Sequence, residues 1–190
     1  MYEAKNYEQL LGIEGFSDSL LRNHFVLYEG YVSNVNKILE FLKTAETGTP
    51  PFSEIKRRFG WEWDGMRLHE LYFGNMGKNG SELDKKSAFV KKITEDFGSF
   101  EVWEKDFKAI GMMRGIGWVA LVRDNETNRL FNVWITEHDG GHLTGSTILL
   151  VMDVFEHAYV SDYGIKRLDY INVFWNAILW SAVVSRFSGK

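Results

Sequence analysis

The sequence predicts an α+β fold, with an N-terminal helical hairpin domain over 1–80 and an α/β domain over 81–190. Three observations predict it. Apolar residues from Leu20 to Leu42 recur at alternating spacings of three and four, which is one face of a long helix. A Gly/Pro segment at 44–51 breaks that helix and folds the chain back on a second one. Beyond residue 115 the pattern changes to apolar runs separated by polar turn residues, the mark of strands.

Taken in order, Ser17 is placed to cap the first helix. Its stripe is Leu20, His24, Leu27, Tyr31, Val35, Ile38 and Leu42; His24 and Tyr31 lie seven apart, about two turns, so they point the same way. After Pro51 a short helix is expected up to Gly60, followed by a helical run from Trp61 to Phe73 in which Met66, His69, Tyr72 and Phe73 share a face. His69 could thus meet His24 across the hairpin. The Gly-Lys-Asn-Gly turn within 74–81 reads as the domain boundary. Helices are expected over 83–97 and 100–112. A β-hairpin follows, 117–123 and 130–136, joined by the turn Asp124-Asn-Glu-Thr-Asn128. A glycine-rich loop then leads to a third strand ending at Met152. One last helix turns Ile171, Phe174, Trp175, Ile178, Ala182 and Val183 inward.

The 190 residues are 45% hydrophobic and 25% charged, enough for a real core. A net charge of -4 without a basic block argues against a nucleic-acid partner. With no cysteine, neither disulfides nor thiolate metal sites are possible, so any metal must be held by His, Asp or Glu. The first residues lack a secretory pattern, and the apolar stretch 171–184 is interrupted by Asn172, Asn176 and Ser181 and is too short to span a bilayer. A cytoplasmic protein away from membranes is the expectation. Seven Trp, eight Tyr and fourteen Phe exceed what such a core needs and would suit the dry lining of a redox site.

The chemistry concentrates at Asp153-Val-Phe-Glu-His157-Ala-Tyr159. A carboxylate and an imidazole four residues apart, at the end of a buried strand, offer oxygen and nitrogen donors suited to a first-row transition metal. An isolated D-x-x-x-H pair is more often a surface acid beside a core histidine. His24 and His69, on apolar faces upstream, favour the metal.

In this order of parts the chain resembles the iron/manganese superoxide dismutases over nearly its whole length. D-V-F-E-H-A-Y at 153–159 is close to the family's D-V-W-E-H-A-Y. Phe97-Gly-Ser-Phe-Glu101, Gly115-Ile-Gly-Trp118, Arg167-Leu-Asp-Tyr170 and Phe174-Trp175-Asn176 also match, in the right sequence. The resemblance implies a three-stranded antiparallel sheet and a ligand set of His24, His69, Asp153 and His157 around one Fe or Mn ion per subunit. It implies disproportionation of superoxide to dioxygen and hydrogen peroxide by one-electron cycling. Zinc cannot cycle in this way, whereas three imidazoles and a carboxylate suit Fe or Mn.

The resemblance also implies supporting roles. Tyr31 corresponds to the gateway tyrosine, with Tyr28 as the competing assignment. It lies seven residues past the first histidine where eight is usual, so a helix without a bulge would serve. His138 stands where a glutamine often bonds to metal-bound solvent, and Gly65, four before His69, fits the subgroup that supplies this residue from the sheet loop. An imidazole there is expected to titrate near neutral pH and make activity pH-dependent. Trp118 matches the hydrophobic lining, while Phe73, Ala120 and Phe155 replace family tryptophans. Arg167 matches a basic residue at the substrate funnel; His142 is left as surface. Glu156 matches the residue that reaches the partner subunit's ligand histidine. Leu27 or Tyr28, and Val160, lack the family's other bridge across the dimer, so a homodimer with a modified interface is expected.

Two rival readings remain at this point. One is a non-enzymatic or weakly active metal-binding relative. The other is an Fe(II) oxygenase using two histidines and a carboxylate, disfavoured by the mainly helical chain and the third histidine.

Overall fold

Ser17 starts the first long helix. Its hydroxyl accepts the Leu20 N–H, leaving Asp18 in the first turn where the helix dipole favours a negative charge. This helix, α1 (Asp18–Thr44), turns through residues 45–49 into α2 (Pro50–Phe73), whose two prolines sit where no N–H is needed. The computed structural model describes residues 1–78 and 80–189. Asn79, in the turn expected at the domain boundary, lies outside them.

α2 is one continuous helix, not two pieces parted at Gly60. An isolated glycine costs a helix only about 1 kcal/mol relative to alanine. Met66, Leu68, Tyr72 and Phe73, all buried against α1, supply far more than that. On α1 the buried face comprises Leu20, His24, Tyr31, Val35 and Ile38, with Leu27 and Leu42 half-buried. Tyr28 takes the inner position instead of Leu27, because its hydroxyl finds the Glu70 carboxylate.

The remaining helices are shorter. α3 (Ala88–Phe97) begins later than the expected residue 83, where the Ser87 hydroxyl caps the Val90 N–H, and it stops at Gly98, whose φ of 90° suits only glycine well. α4 is Phe100–Gly111, capped by Ser99. α5 (Val160–Tyr163) is a single turn. The expected last helix is two, α6 (Arg167–Asn176) and α7 (Trp180–Phe187). The break between them arises because Ile178 bridges to Met76 and the Leu179 N–H is taken by the Asn75 carbonyl. Trp175 and Ala182 are consequently only half-buried.

The sheet has the order β2-β1-β3, both pairings antiparallel, with β1 Gly117–Asp124, β2 Leu130–Thr136 and β3 Ser146–Asp153. The central position of β1 buries its first six residues. Trp118 faces Asp153 across one pairing and Ile135 across the other, which brings an indole to the end of the strand that carries the carboxylate. β3 also packs on α2 and α7. No helix among the described residues is long and apolar enough to cross a membrane.

Candidate metal centre

The two long helices and the end of β3 deliver four donors to one point. α1 supplies His24 and α2 supplies His69. β3 ends at Asp153, and the 3₁₀ turn Glu156–Ala158 that follows supplies His157. His24, His69 and Asp153 are buried and His157 half-buried; one ligand atom from each lies within 4.8 Å of all the others. Among the described residues this is the one group of three or more such side chains placed to share an ion.

Asp153 is the hub. Its Oδ1 accepts the Phe155 N–H at 2.8 Å, and its backbone carbonyl accepts the Tyr170 hydroxyl at 2.6 Å. Oδ2 faces three imidazole nitrogens: His157 Nε2 at 3.1 Å, His24 Nε2 at 3.2 Å and His69 Nε2 at 3.7 Å. His69 Nδ1 lies 2.5 Å from the Gly65 carbonyl, an acceptor only, so Nδ1 carries the proton and Nε2 presents a lone pair inward. The Nε2 atoms of both His24 and His69 are buried without a hydrogen-bond partner of adequate geometry. Buried polar atoms are almost always partnered, and a cation held between these nitrogens and the carboxylate oxygen would satisfy all of them at once.

The electrostatics agree. Burial lowers the basicity of His24, and of His69 strongly, so both stay neutral and available as ligands. Burial alone would raise the Asp153 carboxyl, but His157 and His24 beside it outweigh that and hold it below the usual carboxylate range. The result is an ionised carboxylate facing the neutral imidazoles of His24 and His69. The donor set of three nitrogens and one oxygen fits Fe or Mn.

Aromatic rings enclose the donors. Phe73 stands edge-on to His24 with centroids 4.9 Å apart, and Trp118 to His69 at the same distance. Phe155 stacks on His157 at 5.2 Å and on His138 at 4.7 Å. Ala120 is buried on β1.

Tyr31 and His138 meet at the edge of this shell. The Tyr31 hydroxyl lies 2.7 Å from His138 Nε2, and the ring stacks on His69 at 5.1 Å. Tyr31 fits only because residue 65 is glycine: a Cβ there would stand 2.7 Å from Cδ1 of Tyr31. Helix α1 passes this point as regular α-helix. Tyr28 points away, to Glu70. The Trp118 indole N–H donates to His138 Nδ1 at 3.1 Å, and an indole can only donate. His138 is therefore neutral, carries its proton on Nε2 and donates to the Tyr31 oxygen. Tyr31 keeps its own hydroxyl hydrogen for another acceptor, and burial pushes its ionisation well above the usual tyrosine value.

The expectation that His138 titrates near neutral pH is corrected here. The residue is fully buried, and burial takes its pKa down to about 4, so the ring holds one state through the neutral range. His142 is a surface residue, exposed in its loop, and its Nε2 lies 2.8 Å from the His138 carbonyl and 3.6 Å from Asp64. Arg167 has its guanidinium occupied by the Tyr159 hydroxyl and the Met113 and Gly115 carbonyls. It keeps its charge but has a structural task. Glu156 is exposed beside His157, and it shares a surface hollow with the exposed apolar side chains of Met112, Met113, Val160 and Ile165.

Sequence reasoning missed Trp61, whose ring lies 4.4 Å from His138 and 5.5 Å from Tyr31, and its partner Glu137. The Trp-Glu-Trp-Asp-Gly run just ahead of His69 was the available signal.

Known proteins are similar to this chain in sequence. Residues 85–186 match the family described as iron/manganese superoxide dismutases, C-terminal domain. The chain is 35% identical over 167 residues to superoxide dismutase [Mn] 2 of Haloferax volcanii, covering 87% of this chain and 83% of that protein. It is 35% identical over 182 residues to superoxide dismutase [Fe] of Cupriavidus metallidurans (93% and 90%), and 34% identical over 194 residues to superoxide dismutase [Fe] of Aquifex pyrophilus (97% and 90%). With these likenesses spanning both the hairpin and the sheet, the chain belongs to the iron/manganese superoxide dismutase family.

Proposed function

We propose that the protein is a superoxide dismutase that holds one Fe or Mn ion through His24, His69, Asp153 and His157. One observation carries the reading: two buried, unpartnered imidazole nitrogens face the same carboxylate oxygen as His157. When bound, the ion supplies the one-electron cycling that takes an electron from one superoxide and returns it to the next.

The overall reaction, 2 O₂•⁻ + 2 H⁺ → O₂ + H₂O₂, requires protons, and the chain's own groups are suited to hold and pass them. Tyr31 keeps its hydroxyl proton at neutral pH because burial opposes ionisation. His138 donates from Nε2 to the Tyr31 oxygen, and Trp118 fixes that direction by occupying Nδ1. A proton leaving Tyr31 toward a developing peroxide would thus leave an oxygen already stabilised by a donor. Phe73, Phe155 and Trp118 keep bulk water from the donors, which strengthens every charge interaction there. Arg167 contributes positive potential in an acidic protein rather than a direct contact.

The hairpin (1–80) and the α/β part (81–190) are proposed as two domains sharing the centre, two ligands from each. A homodimer is proposed through the Glu156 face, where an unpartnered carboxylate beside a ligand histidine adjoins exposed apolar side chains. Protein loaded separately with Fe and with Mn should, with at least one of them, dismutate superoxide well above the same concentration of free ion. Full occupancy by either metal with no such excess would end the reading.

A further inference from the structure

His138 sits on an unusual piece of backbone. The residue before it, Glu137, has φ of 51°, in the left-handed region that non-glycine residues rarely occupy and keep only where the surroundings impose it. Its backbone N–H donates to the Ile116 carbonyl at 3.2 Å and the turn is closed by Thr136 and Gly140, while its side chain makes the tie to the hairpin: Glu137 Oε2 accepts the Trp61 indole N–H at 3.0 Å. Trp61 belongs to α2, the helix that carries His69, two turns further on. Its outer face is covered by the Arg58 guanidinium at 3.7 Å, and Arg58 is itself held by Glu62, which also takes the Asn34 amide from α1. Its inner edge packs against the His138 ring at 4.4 Å. A weaker tie lies on the other side of the loop, where His142 spans the His138 carbonyl and Asp64 of α2.

We infer that Trp61 and Glu137 form a clamp that positions His138: the indole anchors the Glu137 carboxylate, holds the left-handed turn, and so presents His138 Nε2–H to Tyr31. The physical need is clear. His138 is on the loop after β2, Tyr31 on α1, and nothing covalent near the site sets their separation; a 2.7 Å bond between them requires that the loop be fixed to the hairpin. Neither Trp61 nor Glu137 touches a metal donor, so both are positioning residues. The inference rests on the dismutase reading of the centre.

The test uses purified, metal-loaded protein with Trp61→Phe, Glu137→Ala, Glu137→Gln and the Trp61→Phe/Glu137→Ala double variant, compared at matched metal content by stopped-flow dismutation, by thermal midpoint and by the absorption spectrum of the bound ion. Loss of one positioning hydrogen bond of about 1 kcal/mol predicts turnover lowered about three- to tenfold in Trp61→Phe and in Glu137→Ala. Glu137→Gln keeps an acceptor oxygen and should stay within about twofold. The double variant should be no worse than the poorer single one, since both break the same contact. The spectrum should shift in Trp61→Phe and Glu137→Ala and return in Glu137→Gln. Wild-type turnover in both single variants, additive losses in the double, or losses that follow the thermal midpoint with an unshifted spectrum would overturn the clamp. An inactive wild type at full occupancy removes the dismutase reading instead, and the spectral comparison still decides the clamp.

Discussion

Two aromatic clusters of this molecule look alike in burial and differ in what they leave unsatisfied. Around His24, His69 and His157, Tyr31, Tyr72, Phe73, Trp118 and Phe155 pack on imidazoles, and three ring nitrogens, both of His24 and Nε2 of His69, have no partner. In the α/β part, Phe89, Phe100, Trp103, Trp175 and Trp180 pack on one another with centroids 5.0–6.4 Å apart, and the buried Trp103 indole is satisfied by Asn132 at 2.9 Å. A cavity of about 760 Å³ opens against this second cluster, lined by Phe100, Trp175 and Trp180. Neither a surplus of rings nor open space therefore marks the chemistry. Several unpartnered imidazole nitrogens converging on one buried carboxylate do, because a ligand shared among them offsets their cost.

The sharpest way to break this contrast is to remove the hub of the first cluster. Asp153→Asn deletes the charge that three imidazoles face, and it should lower dismutation by at least about 100-fold together with metal content, since altering even an outlying partner of a metal ligand costs about 10- to 100-fold. Metal analysis and turnover on the same preparation check it. The apo-protein need not unfold, since removing a buried charge also removes its desolvation cost. Retention of metal and rate would show that the carboxylate is only a structural acceptor.

The second cluster should respond in the opposite way. Trp103→Ala, in a fully buried position, should cost about 3–5 kcal/mol of stability. For a chain of this size that is roughly 10 °C in the thermal midpoint. At a temperature where the variant is folded, turnover per bound metal should be close to wild type. A large loss of turnover per metal would mean the two clusters are coupled.

The smallest effect concerns pH. In the unfolded chain His138 takes a proton as pH falls below about 6.5, whereas in the folded protein burial delays this to about pH 4. The unfolded state therefore binds more protons between those values, so stability falls as pH drops from 6.5 to 4 and is unaffected above 6.5. The contribution is at most roughly 3 kcal/mol. Thermal midpoints of wild type and His138→Gln from pH 7 to 4.5 check it, because glutamine does not titrate. The difference between the two should be flat above pH 6.5 and shift against wild type below it; parallel curves throughout would show that His138 is not held neutral by the fold.

Much of this was legible in the sequence because it is periodic or local. The spacing of Leu20, His24 and Tyr31 places them on one helix face, and Asp153 and His157 declare themselves at the end of an apolar strand. The helix break at Ile178 was not legible, since it depends on a bridge to Met76 about one hundred residues earlier. The continuity of α2 through Gly60 was hidden for the same reason: packing, not local propensity, decides it. The state of His138 could not be read from its type, because its basicity follows from burial beneath Trp61, Trp118 and Phe155. Trp61 and Glu137 were overlooked since a loop must meet a helix before either has a role.

The proposed activity depends on these four donors sharing one ion. Anomalous X-ray diffraction from metal-loaded crystals, recorded at the Fe or Mn absorption edge, would locate that ion. A single strong peak per chain is expected, about 2 Å from His24 Nε2, His69 Nε2, His157 Nε2 and Asp153 Oδ2. A peak elsewhere on the chain, or none among these residues in protein that analysis shows to carry the metal, would contradict it.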